Sequence, residues 1–274
     1  MSLTDSLGPA RDRSAGWRLR LPKAESLLPY AVPAAILALW EIAGAAGLIA
    51  DTIMPRPSTI LSTAVQMTLS GELLTHLGVS AMRALAGLLV GGGIGFALGV
   101  GNGVSRLSET LTDSTLQMVR NIPHLALIPL VILWFGIGEG AKLFLVALGV
   151  FFPIYLNTLY GIRNVDPQLI EMGRAYGMTG RQLFRRIVLP GALPSIFVGL
   201  RYGLGIMWLT LIVAETLSAS SGLGYMAMKA REFMVLDVVV LSILLYAALG
   251  KLADTLTRAL ERRALQWSPA YAGR

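Results

Sequence analysis

A chain of 274 residues with 54% hydrophobic and only 14% charged residues lies far from the soluble norm of about 25% charged, which excludes a water-soluble globular domain and predicts an integral membrane protein. The net charge of +7 does not point to nucleic acid, because the basic residues are distributed around apolar runs in the manner of membrane topology. The absence of cysteine removes disulfides and Cys-based metal sites and leaves the redox compartment unread.

Residues 1–26 are polar with Pro, Gly and Ser and predict a mostly disordered cytoplasmic leader. A transmembrane domain is expected over 27–260 and a cytoplasmic tail over 261–274. Six apolar runs approach the roughly 20 residues that cross a core of about 30 Å: Leu27 to Ile49, Ser80 to Gly101, Leu116 to Phe135, Lys142 to Ile162, Pro194 to Ala214 and Leu236 to Thr257. The first run, preceded by Arg and Lys and containing Ala43-Gly44-Ala45, has the outline of a secretory signal. Leader and run are both longer than a typical signal's, so an uncleaved first helix is expected. With the N-terminus inside, fifteen of the 23 basic residues fall on the cytoplasmic side and three, Arg56, Lys229 and Arg231, outside. Both termini are therefore expected in the cytoplasm.

Between the first two spans, Met54-Pro55-Arg56-Pro57-Ser58 reads as a turn opening a short amphipathic helix, Thr59 to Leu69, at the outer face. The second span carries Gly87, Gly91, Gly95, Gly99 and Gly103 at every fourth position, a stripe that lets another helix backbone approach closely. Gly93-x-Gly95-x-x-Leu98 misses the dinucleotide pattern and the chain has no G-x-x-x-x-G-K-[ST], so it has no Walker motif of its own with which to bind ATP.

Asp166-Pro167 supplies an N-cap followed by proline at the first helical position. Leu169, Met172, Gly173 and Tyr176 share a face of the predicted helix, Glu171 lies near its positive end, and Gly177 supplies the left-handed residue that closes it. Thr179-x-x-Gln182 is a capping box for a second helix that Leu189-Pro190 is expected to end. Arg181, Arg185 and Arg186 taken singly are what any cytoplasmic loop carries.

The joint spacing of Glu171, Gly177, Ile187, Leu189 and Pro190 resembles the cytoplasmic loop of the ABC importer permease family, E-A-A-x3-G-x9-I-x-L-P. Met172 and Gly173 depart from the name-giving alanines. The likeness runs from about residue 55 to the C-terminus. Leu189 to Ile196, Met207 to Glu215, Ser221 to Tyr225 and Trp267 to Tyr271 are similar to the aliphatic sulfonate permeases within it, whose relatives import taurine, nitrate, bicarbonate and pyrimidine precursors. The resemblance implies an all-α polytopic protein with the six-helix type I importer permease fold in the inner membrane. It implies a pairing with a second copy, two ATPase subunits that carry the ATP and Mg, and an extracytoplasmic binding protein that delivers substrate. Glu171, Met172, Gly173, Ala175, Gly177, Ile187, Leu189 and Pro190 would form the ATPase-coupling segment within 166–190, and the chain itself would be no enzyme and hold no cofactor.

Charges inside a bilayer face a protein interior or an aqueous path. Arg120 and Asn121, beside the helix break at Ile122-Pro123-His124, and Arg201 and Glu215 in the fifth span are the candidate substrate path, with snorkelling to lipid phosphate the competing reading for both arginines. His124, and His76 in a polar outer loop, read as packing residues rather than ligands. Glu41 is a further intramembrane charge, and Lys251 and Asp254 are spaced to pair on one helix face. Ser221-Gly222-Leu223-Gly224 reads as a flexible outer turn or as part of a surface that meets a binding protein. A gradient-driven carrier needs ion-coupling carboxylates or broken-helix sites at mid-membrane, and apart from Glu41 the carboxylates lie near span ends. An intramembrane enzyme needs an H-E-x-x-H or a placed nucleophile, and the chain has neither that motif nor cysteine and only two isolated histidines.

Overall fold

The computed structural model describes residues 28–267. The predicted leader and residues 268–274 of the predicted tail lie outside the described residues. Among the described residues the chain is helical throughout, with no strand.

Helix α1 (Leu28–Ala45) is followed by α2 (Pro57–Leu69), which starts two residues before the expected Thr59, inside the turn expected to open it. The pair is joined at Glu41, which accepts from the Ser58 N–H at 2.9 Å and the Ser58 hydroxyl at 2.7 Å. This carboxylate therefore caps α2 rather than standing open in the membrane. Helix α2 is packed into the body: Ile60 is buried, and Thr63 donates to Asp237 at 2.6 Å.

The second span is longer than the apolar run. It comprises α3 (Glu72–Gly87), a π turn over Leu88–Gly92, and α4 (Gly93–Val104). His76 accordingly sits on a helix, not in a loop. The π turn has a physical cause in the glycine stripe. Each four-residue step overshoots a 3.6-residue turn by about 40°, and the extra residue of a π turn winds the stripe back toward one face.

That face meets α7 (Glu139–Arg163). A Cβ on Gly91 would lie 2.0 Å from the carbonyl oxygen of Ala147, one on Gly95 2.6 Å from that of Phe151, and one on Gly99 2.8 Å from that of Tyr155. On Gly87 it would meet a Val146 side-chain carbon at 2.4 Å. Lipid is as apolar as leucine, so helices in a bilayer are held by such close packing and by polar contacts rather than by a hydrophobic force.

The third expected span is not one helix. Helix α5 (Arg106–Arg120) and α6 (Ile128–Phe135), the latter entered through a 3-10 turn at His124–Leu127, meet at 80°. Pro123 has no N–H to continue the ladder, and Ile122, which precedes it, is disfavoured in helical conformation. After α7 come α8 (Pro167–Ala175), α9 (Gly180–Leu183), a π turn at Phe184–Val188, α10 (Leu189–Ser218), α11 (Leu223–Glu232) and α12 (Leu236–Ala264). The last runs past the expected domain limit at 260.

Helix α7 is the axis of the body, with Val146, Val150 and Ile154 packed against Leu204, Met207 and Leu211 of α10 and Ala84 of α3. A second cluster, Ile60, Leu73, Leu223, Met226, Leu241 and Tyr246, joins α2, α3, α11 and α12. Among the described residues, four helical stretches are each long and apolar enough to cross a membrane: Glu72–Val104, Glu139–Arg163, Gly180–Leu217 and Leu236–Ala264. The bent pair α5–α6 is long and apolar enough when taken together, as one broken span or a re-entrant loop, and α1 contributes a shorter apolar stretch, Ala31–Ala45. All six predicted runs thus fall on apolar helical segments, one of them bent and one shorter than a full crossing.

Candidate translocation cavity and coupling segment

The segment over residues 166–190 forms as its residues dictate. Asp166 caps α8 by accepting from the Gln168 N–H at 2.8 Å, and Pro167 follows. Gly177 adopts φ +72°. Around it Gly177 N–H donates to Arg174 and Met178 N–H to Gly173, the paired bonds of a Schellman closure. Thr179 and Gln182 make the reciprocal capping box. Where the sequence predicts an end at Leu189-Pro190, the helix instead continues into α10. The π turn explains this: Leu189 N–H reaches back to Phe184, so the ladder has already widened where Pro190 lacks a donor and its ring would crowd the preceding turn.

Gly173 does not share the outward face of Leu169, Met172 and Tyr176. It is buried, and a Cβ there would lie 2.6 Å from Leu183 and 2.7 Å from Ile187. Its smallness serves the contact between α8 and the following helix, with Ile187 as the opposing side. Leu169, Met172 and Tyr176 are 45%, 48% and 79% exposed, and Glu171 and Ala175 are exposed beside them. Leu189 and Pro190 are half-buried at the start of α10.

Of the four path candidates, the structure brings one to a cavity. A space of about 350 Å³ between the α5–α6 bend, α7 and α10 is lined by Arg120, His124, Phe152, Asn157, Tyr202 and Ile206, among others. It combines one cation with hydrogen-bonding groups and apolar walls. His124 Nε2 lies 3.0 Å from the hydroxyl of fully buried Thr210 on α10, which ties the bent segment to that helix. Asn121 is exposed and caps α5, its N–H donating to Met118 at 3.2 Å; it is not part of the lining.

Arg201 is committed elsewhere, pairing with Glu261 and lying 3.5 Å from Asp254, so it clamps α10 to α12. Asp254 also holds Arg258 at 2.9 Å, a pairing one turn forward in place of the expected one with Lys251. Glu215 is 1% exposed and is the centre of a polar knot at the other end of α10. Arg83 Nη1 donates to it at 2.7 Å, the Ser80 hydroxyl at 2.8 Å, the Tyr246 hydroxyl at 2.9 Å and the Gly224 N–H at 2.9 Å. Two arms of the same guanidinium donate to Glu139 at 2.6 Å each, and Lys142 reaches Glu139 at 2.9 Å.

The knot removes Glu215 from the path and overturns the flexible reading of Ser221–Gly224. Arg83 donates to the Ser221 carbonyl, Leu223 N–H donates to Ser80 at 2.8 Å, and Gly222 N–H to His76 Nδ1 at 3.0 Å. Gly222, at φ +110°, leaves no room for a Cβ, which would fall 2.4 Å from Glu215. Arg83, Glu139 and Lys142 were missed as a site at the sequence level. The available signal was a bare arginine inside an apolar run, which requires a buried partner.

The model of the family described as binding-protein-dependent transport system inner membrane component matches residues 87–266. The Escherichia coli (strain K12) protein that bears the name aliphatic sulfonates transport permease protein SsuC is 55% identical over 255 residues, which cover 93% of this chain and 95% of that one. Its namesake in Bacillus subtilis (strain 168) is 46% identical over 242 residues, 88% of each chain. The solved structure titled crystal structure of an amino acid ABC transporter with histidines superposes with a TM-score of 0.60 at 17% identity, covering 73% of this chain and 97% of its own, a likeness of fold. With a family match across about two thirds of the length and relatives 55% and 46% identical over most of the chain, the chain belongs to the inner membrane components of binding-protein-dependent transport systems, the permeases of ABC importers.

Proposed function

We propose that this permease imports aliphatic sulfonates. It pairs with a second copy of itself, takes substrate from an extracytoplasmic binding protein, and is driven by two ATPase subunits that carry the ATP and Mg. The 55% identity to a sulfonate permease across nearly the whole chain carries the substrate assignment. The cavity agrees with it in chemistry, since an alkanesulfonate needs one cation for the anionic head and apolar walls for the tail, as Arg120, Phe152 and Ile206 supply. A gradient-driven carrier is disfavoured because Glu41 and Glu215 are committed to Ser58 and to the Arg83 knot.

In this reading both termini and residues 166–190 are cytoplasmic. ATP binding draws the ATPases together, the docked α8 segments move with them, and the paired permeases switch from inward- to outward-facing; hydrolysis resets the cycle. No bond in the substrate changes. Uptake of an alkanesulfonate, taurine, nitrate and bicarbonate, each delivered by the loaded binding protein to the reconstituted complex, tests the substrate. The alkanesulfonate is expected to be taken up fastest; a higher rate for any of the other three assigns the permease to that neighbouring class.

Arg120 gives a second expected result. Arg120→Gln keeps much of the side chain's length and polarity but removes the charge, so uptake of an alkanesulfonate is expected to fall about tenfold, the equivalent of ~1.4 kcal/mol, with assembly and ATPase activity retained. Uptake of zwitterionic taurine is expected to fall less. Equal, wild-type uptake of both substrates removes Arg120 from the path, and equal loss of both with poorer assembly makes it a lipid anchor.

A further inference from the structure

Helix α5 is attached to the body in an unusual way. It buries none of its own residues and carries Arg106, Glu109, Asp113 and Arg120 along its 15 residues. A helix so polar in a membrane protein is held by specific polar contacts, and these gather toward its N-terminal half. Asn102, fully buried near the end of α4, donates to the Thr112 hydroxyl at 2.7 Å and accepts from the Ser108 hydroxyl at 2.6 Å, both on α5. The same amide donates to the hydroxyl of Tyr155 on α7 at 2.9 Å. One side chain thus joins three helices. Glu109 pairs with Arg163, the last residue of α7, three positions before the Asp166 cap that opens the coupling segment. At its other end α5 finishes in Arg120, in the wall of the cavity.

We infer that α5 is a lever: the Glu109–Arg163 pair and Asn102, which grip the same turn through Ser108, Glu109 and Thr112, are together its driven base, and the cavity wall at Arg120 is its working end. The eleven steps from Glu109 to Arg120, at ~1.5 Å each, make a rigid arm of about 16 Å. The break at Ile122-Pro123 frees that arm from α6, which the His124–Thr210 contact holds on α10. The ion pair is partly solvated, its side chains 37% and 24% exposed, so it contributes little to folding and its value lies in fixing geometry. Asn102, Glu109 and Arg163 are positioning residues for transport that act through the cavity wall. The inference rests on the reading of 166–190 as the ATPase contact.

The test is the ratio of substrate imported to ATP hydrolysed by the reconstituted complex with its ATPase and binding protein. Glu109→Arg and Arg163→Glu are each expected to keep ATP hydrolysis within about twofold of wild type while lowering the ratio about fivefold or more, the lower range of coupling between sites. The double variant, which restores the pair with its charges exchanged, is expected to recover most of the ratio. A wild-type ratio in both single variants, or a double variant no better than either, overturns the lever. Should the reversals fail to assemble, Glu109→Gln decides by the same ratio: a fall supports the lever, and no change overturns it. A wild-type complex that hydrolyses ATP without importing the anion refutes the proposed function and the lever with it, whereas intact wild-type import with unaffected variants refutes the lever alone.

Discussion

Arg83→Ala is expected to destabilise the folded permease by about 3–5 kcal/mol, because breaking a buried ion pair from one side leaves the other charge without compensation. Glu215 is 1% exposed and Arg83 7% exposed, so no solvent replaces what is lost. The neutral donors that remain around Glu215, from Ser80, Tyr246 and Gly224, do not cancel its charge. The effect reaches beyond the pair, since Arg83 also holds the Ser221 carbonyl and Glu139. Arg83→Lys, with one point charge in place of a planar fork, is expected to recover only part of the loss. Arg83→Met combined with Glu215→Gln removes both charges and is expected to be milder than Arg83→Ala. Thermal unfolding of the purified protein measures all three, and a midpoint in Arg83→Ala equal to wild type contradicts the role of the knot. The arm to Glu139 differs, because that side chain is 65% exposed; Glu139→Gln is expected to cost less than Arg83→Ala but more than an ordinary surface pair, since it also leaves the buried Lys142 without its partner.

The second large effect concerns a single methyl group. Gly91→Ala places a Cβ 2.0 Å from the Ala147 carbonyl oxygen, and a backbone atom in the middle of α7 has no rotamer by which to withdraw. Overpacking of this kind costs about 1–3 kcal/mol, with α4 and α7 forced apart along the stripe. Gly93, two residues on, has nothing within 4 Å of the same methyl. Gly93→Ala is therefore expected to be neutral or stabilising by about 0.5–1 kcal/mol, the ordinary preference of a helix interior for alanine. Equal stability of the two variants contradicts the close approach of the helices.

The contrast between these glycines shows what was legible in the sequence. Spacing at every fourth residue identified the contact face, and the length of the apolar runs placed helical segments at all six. Local rules also sufficed for the coupling segment: the Asp166 cap, the left-handed Gly177 and the Thr179–Gln182 box all depend on residues within a few positions of one another. Three features escaped for a common reason, that their causes lie far apart in the chain. Glu215 and Arg201 have the sequence appearance of path charges, and only tertiary partners on α3 and α12 turn them into ties. Ser221–Gly224 has turn composition, but donors and acceptors from Arg83, Ser80 and His76 more than a hundred positions earlier hold it fixed. Leu189-Pro190 escaped for a different, local reason: the π turn just before it that accommodates Pro190 has no sequence rule as sharp as proline's own.

Gly173 illustrates the same limit and redirects the test of energy input. Its contact with Leu183 and Ile187 means that a bulky residue there disturbs the segment itself, whatever docks on it. Leu169, Met172 and Tyr176 form the outward apolar face of α8, and an apolar anchor at the centre of an interface carries a large share of its binding energy. The most direct measurement is therefore ATPase co-purification and ATP-driven uptake for Met172→Glu and Tyr176→Glu, with the unfolding midpoint recorded on the same samples. Both variants are expected to lose the ATPase and uptake while the permease unfolds at the wild-type temperature. Normal co-purification and uptake in both would contradict entry of the driving energy through this face.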